Sequence, residues 1–146
     1  EIVTVRFRAG SSFQVTLEDA VMSITHRSTQ TSQAALNRAL NELAHQEVLA
    51  IFERACQRTG FKPNSVTLKN LRSSLGRCSS TRHIILATRL IHYPREAILA
   101  VCYHELAHLS HMNHSQRFYD QLEGWMPDYR KVMKNARNFP SVSAID

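Results

Sequence analysis

The stretch "CYHELAHLSHMNHSQRF", residues 102–118, gathers His104, His108, His111 and His114 around one glutamate, Glu105. On a helix, residues four apart differ by about 40° in bearing, so His104 and His108 share a face one turn apart. Two imidazoles so placed can offer lone pairs to one metal ion. A carboxylate beside the first can take a proton from water at that ion. This is the H-E-x-x-H spacing of a zinc helix. With 8 His in 146 residues, the pattern arises by chance in roughly 2% of shuffled chains. A plain surface cluster of histidines is the competing reading. It leaves unexplained the apolar residues Ile98, Leu99, Cys102, Leu106 and Leu109 on the opposite side of the helix.

A third ligand has to come from elsewhere. His111 points the same way as His104, but seven residues separate them, about 10 Å along a helix axis. Zinc–nitrogen bonds of about 2.0–2.1 Å do not span that distance. The helix must therefore stop soon after His108 and the chain must turn back. His114 is the favoured ligand: Asn113 tolerates the left-handed conformation expected of such a turn, and Ser115 can cap the next helix. "HELAHLSHMNH" matches the spacing HExxHxxGxxH, with His111 in place of the turning glycine. Glu123, further on, is the rival.

The elements that must carry these residues show in the hydrophobic pattern. "IVTVRFR" alternates Val3, Val5 and Phe7 with polar residues, and "FQVTL" alternates again, which predicts a β-hairpin with one wet face. "AVMSIT" (20–25) is a further strand candidate. The polar "RSTQTSQ" follows, with Thr31 or Ser32 able to cap a helix. From Ala34 to about Arg58, Leu36, Leu40, Leu43, Val48, Ile51, Phe52 and Ala55 recur at helical spacing, and Gly60 stands at the left-handed cap position. Residues 64–71 and 82–90 read as two strands joined by the loop "RSSLGRCSS". Pro94 opens a helix from about 95 to 111. Two shorter helices are expected over 115–126 and about 128–137.

Length and composition predict one domain with a real core: 146 residues, 43% hydrophobic and 21% charged. No apolar run exceeds "AILAVCY", so no membrane span and no membrane partner are expected. No basic-then-apolar leader is read at the start. Cys56, Cys78 and Cys102 are odd in number and widely spaced, which predicts reduced thiols and a cytoplasmic setting. The net charge of +6 permits nucleic acid as a partner. The basic residues are scattered, so only weak, salt-labile binding is expected.

From about Gly60 to Tyr129, about half of the chain, the sequence resembles the YgjP-like metallopeptidase domain, a relative of the SprT-like and WLM zinc peptidases. The matching pieces are "GFKPNSVTLKNLRSSLGRCSS", "HELAHLSHMNHSQRFYDQLE" and "WMPDY". The resemblance implies an α+β fold, a compact minimal zincin of gluzincin-like form. It would have a small, mainly antiparallel sheet, a long scaffold helix and an HExxH active-site helix. As one domain over 1–146, this divides into a β-hairpin and strand region (1–30), the scaffold helix (31–60), strands (61–93) and the active-site and C-terminal helices (94–137). It implies one zinc ion per chain on His104, His108 and His114, with Glu105 catalytic. Two departures, Leu75-Gly76-Arg77-Cys78-Ser79 for Trp-Gly-Ser-Cys-Ser and Phe118-Tyr119 for Phe-Trp, touch no ligand but reshape the cleft.

The expected chemistry is hydrolysis of polypeptides through a zinc-activated water, with Glu105 as general base. Tyr119, His83 and Arg77 are candidates to steady the oxyanion, and Asp120 and Asn70 to orient ligand imidazoles. Two alternatives stay open. One is a binding module in which zinc is structural, against which the carboxylate of Glu105 speaks. The other is a basic nucleic-acid-associated protein without strong proteolytic activity, supported by fold-level analogy.

Overall fold

A computed structural model describes residues 4–9, 14–18, 21–26 and 32–137. The chain divides into two compact units, Glu1–Gln46 and Glu47–Asp146.

In the first unit, β1 (Thr4–Ala9), β2 (Gln14–Glu18) and β3 (Val21–His26) form one sheet in the order β1-β3-β2. The expected hairpin of the first two strands is not formed. β1 runs parallel to β3, with Thr4 opposite Val21, and β2 runs antiparallel to it, with Val15 opposite Ile24. Alternation identifies a strand and its faces but says nothing of its neighbour. β3 takes the centre because Met22 and Ile24 are buried with Ala35 and Ala39 of the following helix. Val3, on the apolar side of the expected first strand, and the Thr31 cap lie outside the described residues.

The helix α1 (Ser32–Thr59) is longer than expected by about one residue at its end. From Glu47 onward it belongs to the second unit, where Val48, Ile51, Phe52 and Ala55 enter the core. Gly60 ends it at φ 75°, its N–H bonded to the Cys56 carbonyl at 2.8 Å. A residue with a Cβ is strained there.

The second sheet is β4 (Ser65–Lys69), β5 (Gly76–Cys78) and β6 (His83–Ala87), in the order β4-β6-β5. β4 and β6 pair in parallel, and β5 returns antiparallel to β6. Each sheet thus has one parallel and one antiparallel pair, where a mainly antiparallel sheet was expected. The supposed loop hides β5, three residues too short and too polar to show an alternating pattern. The central β6 is apolar after His83, with Ile84, Leu86 and Ala87 buried, as a strand covered on both sides requires.

A 3-10 turn over Thr88–His92 leads to Pro94 and α2 (Arg95–Ala107). The two-faced helix read from the sequence is instead buried almost all round: Ala97, Ile98, Ala100, Val101, Cys102, Tyr103, Leu106 and Ala107 are all in the core. α3 (Gln116–Trp125) and α4 (Tyr129–Arg137) complete the unit, adding Phe118, Leu122, Tyr129, Val132 and Ala136 to that core. No described helix is long and apolar enough to cross a membrane.

Candidate metal centre

α2 presents His104 and His108 one turn apart and then ends, with His108 as its last cap. The backbone tightens: Leu109 N–H bonds to Leu106 and Ser110 N–H to Ala107, at 3.0 and 3.1 Å. Asn113 does not take the expected left-handed conformation. Among described non-glycine residues only Arg82 has a positive φ, at 67°. Its guanidinium bonds to the Leu109 carbonyl at 3.2 Å and the Lys62 carbonyl at 3.3 Å, tying down the end of α2. Ser115 caps α3 as expected, accepting from the Phe118 N–H at 3.3 Å.

These turns bring His114 back to the helix. The Nε2 atoms of His104, His108 and His114 form a triangle with sides of 3.2, 3.3 and 3.1 Å. Tetrahedral zinc with bonds of about 2.0–2.1 Å sets its nitrogens about 3.3–3.4 Å apart, so the triangle fits. Proton placement agrees. His108 Nδ1 lies 2.9 Å from the His111 carbonyl, which can only accept. Neutral His108 therefore carries its proton on Nδ1 and leaves Nε2 bare. Lone pairs converging at such distances repel unless a cation sits among them.

The other two candidates are placed differently. His111 contributes its backbone carbonyl, and its imidazole is not in the cluster. Glu123 pairs with Arg130 on α4, and that guanidinium lies 4.4 Å from the Tyr119 ring centre.

Burial tunes the ionisable groups. His104 is held down at about 4, first by desolvation and then by His108 and His114. His108 is lowered too, mainly by burial. Both are thereby kept neutral, as ligation requires. Glu105 is only 5% exposed, and desolvation pushes its carboxyl up to about 8. A cation on the neighbouring imidazoles would pull it back toward the ionised form.

The sequence reading gave two residues no supporting role, and it had Phe118-Tyr119 touching no ligand, which the ring contacts of Phe118 correct. Phe118, fully buried, lies with its ring centre 5.0, 4.6 and 5.0 Å from those of His104, His108 and His114, flooring the cluster. Its signal is its place one turn beyond His114. Tyr129 shares a 2.7 Å hydrogen bond with His104 Nδ1. For His104 and His108 the Nδ1 partners are thus Tyr129 and the His111 carbonyl, in place of Asp120 or Asn70. Asp120 is exposed and accepts from Gln116 at 2.7 Å, and Asn70 is exposed on the far side of β4 in sequence.

Of the oxyanion candidates, Tyr119 has its ring 6.3 Å from that of His114. His83 is exposed and bonded to the Ser65 hydroxyl at 2.6 Å, and Arg77 is exposed on β5. A cavity of about 610 Å³ walled by Leu49, Phe52, Cys56, Phe61 and Val66 contains none of the histidines.

Among solved structures, the chain is similar to the metallopeptidase zymogen abylysin of Pyrococcus abyssi. Identity is 24% and the TM-score 0.56, over 62% of this chain and 92% of that one. It is also similar to the zymogen jannalysin of Methanocaldococcus jannaschii, at 14% identity and TM-score 0.55, over 62% and 94%. At such identities the likeness establishes the compact fold alone. No curated protein matches the chain. The profile of one family does match, from residue 5 to residue 138, well beyond the half of the chain on which the resemblance was read. That span decides the assignment: this chain belongs to the YgjP-like metallopeptidase family, enzymes that hydrolyse polypeptides with the help of a metal ion.

Proposed function

We propose that the chain hydrolyses peptide bonds with one zinc ion held by His104, His108 and His114 and with Glu105 as general base. The observation that carries this reading is the triangle of Nε2 atoms, 3.1–3.3 Å on a side, with a buried carboxyl on the residue after His104. When bound, zinc supplies a Lewis acid that lowers the pKa of water toward about 7 and polarises a carbonyl.

The chain does the rest. Three neutral imidazoles leave the ion's charge undiminished. Phe118 packs against the cluster from one side. Glu105 follows His104 on the helix, and its side chain lies against Gly76 of β5. From there it takes a proton from the attacking water and later gives it to the leaving amine. Free cysteines at all three positions support a reducing, cytoplasmic setting. Scattered basic charge supports a polypeptide, and not nucleic acid, as the main partner.

The test is metal content and digestion of an unfolded protein before stripping, after stripping and after zinc add-back. One equivalent of zinc, with activity that leaves and returns with it, supports the proposal. A chain that takes up zinc but never hydrolyses would favour the zinc-stabilised binding module. No uptake at all would overturn the metal site.

A further inference from the structure

The cluster uses one nitrogen of His104. The other is equally constrained. Nδ1 lies 2.7 Å from the phenol oxygen of Tyr129, and the two rings are nearly parallel, 28° apart at 6.0 Å. Tyr129 is only 7% exposed and is the first residue of α4. It is fixed from several directions. Its N–H bonds to the Met126 carbonyl at 3.0 Å. Its neighbour Arg130 pairs with Glu123 and covers Tyr119, both on α3.

A phenol can bond to Nδ1 in two ways, and they have opposite consequences. If the phenol donates, neutral His104 carries its proton on Nε2, aimed at the Nε2 atoms of His108 and His114. If the phenol accepts, the proton sits on Nδ1 and Nε2 is bare. Only the second state presents a third lone pair to the cluster. His108 already shows the same arrangement, with the His111 carbonyl as acceptor.

We infer that Tyr129 is a positioning residue: its phenol oxygen accepts from His104 Nδ1–H, fixing the tautomer and ring plane in which Nε2 faces the metal. The inference rests on His104 being a metal ligand. Outer acceptors of this kind typically change metal affinity by about 10–100-fold when removed. Tyr129→Phe keeps the ring and removes only the oxygen.

The experiment measures zinc affinity by competition with a chromophoric chelator, and the visible spectrum of the cobalt-substituted protein. It compares wild type, Tyr129→Phe, Val132→Ala and His104→Ala. Val132 is buried on the same helix without touching the cluster's hydrogen bonds, so it reports on packing alone. Expected are a roughly 10–100-fold loss of affinity and an altered cobalt spectrum for Tyr129→Phe, with the KM for peptide little changed. Val132→Ala should lower the melting temperature and leave the spectrum as in wild type. Tyr129→Phe binding zinc within twofold of wild type, or Val132→Ala shifting the spectrum equally, would overturn the role of Tyr129. Zinc retained at full affinity by His104→Ala would instead overturn the ligand reading beneath it. Nitrogen-15 NMR of the histidines in zinc-loaded wild type needs no variant. A proton on His104 Nδ1 is expected, and a bare Nδ1 would sink the inference.

Discussion

A Cβ placed on Gly76 would stand 2.9 Å from Oε2 of Glu105 and 3.0 Å from its Cγ. The strand β5 and the carboxyl on α2 are in contact through the one residue type that leaves room. Gly76→Ala is therefore expected to displace the Glu105 side chain without touching any histidine. Zinc content should stay at one equivalent while kcat falls roughly tenfold to a hundredfold, as displacement of a catalytic group by about 1 Å does. Unchanged kcat would mean that Gly76 does not set the position of the carboxyl.

Glu105→Gln removes the proposed base and keeps the proposed ligands. Zinc binding and fold should persist, and hydrolysis of an unfolded protein should fall by several orders of magnitude. A variant that digests substrate as fast as the native enzyme would exclude Glu105 from proton transfer.

For the third ligand the expectation is a contrast among variants. His114→Ala should weaken zinc severely, because its Nε2 completes the triangle. His111→Ala keeps the backbone carbonyl that orients His108, and Glu123→Ala breaks only the pair with Arg130, so both should hold the metal. A metal titration in which Glu123→Ala loses zinc and His114→Ala keeps it would reverse the assignment.

The pH dependence of the metal-free protein follows from groups that shift in opposite senses, the imidazoles of His104 and His108 downward and the carboxyl of Glu105 upward. His104 falls from 6.5 to about 4. The unfolded chain takes a proton that the folded chain refuses across that window, so stability drops as pH falls through it. Glu105 rises from 4.5 to about 8. Here the folded chain keeps a proton that the unfolded chain releases, so the stability it contributes below 4.5 is lost as pH rises toward 8. Denaturant unfolding from pH 4 to 8.5 should show a maximum near about pH 5–6, where the two oppose. Glu105→Gln should abolish the alkaline fall. A native curve climbing steadily from pH 6 to 8 would contradict the burial of the carboxyl.

What the sequence made legible was whatever is encoded locally. His104 and His108 are spaced by the helical period, and the distance argument against His111 used only the rise per residue. Ser115 as a cap and Gly60 as a terminator follow from the preferences of single residues. The rest depends on partners distant in the chain. Tyr129 reaches His104 across twenty-five residues and the intervening α3, and its phenol carries no spacing signal. The His111 contribution is a carbonyl, which every residue has. The pairing of β1 with β3, and the strand hidden at Gly76–Cys78, follow from which edges meet and not from alternation. The two faces read from Ile98, Leu99, Cys102, Leu106 and Leu109 understated the burial of α2, because core surrounds it wherever the imidazoles do not.

The three imidazoles all fall within eleven consecutive residues, His104 to His114. Binding an ion there closes only short loops, so cross-linking removes little entropy from the unfolded chain. Stabilisation must come instead by mass action, through preference of the ion for the assembled triangle. Each tenfold rise in free metal above the dissociation constant adds about 1.4 kcal/mol to the folded state. The persistence of the C-terminal unit in a cell would then track the supply of available zinc, and starvation for the metal would remove the enzyme by loosening its fold as well as by silencing its chemistry.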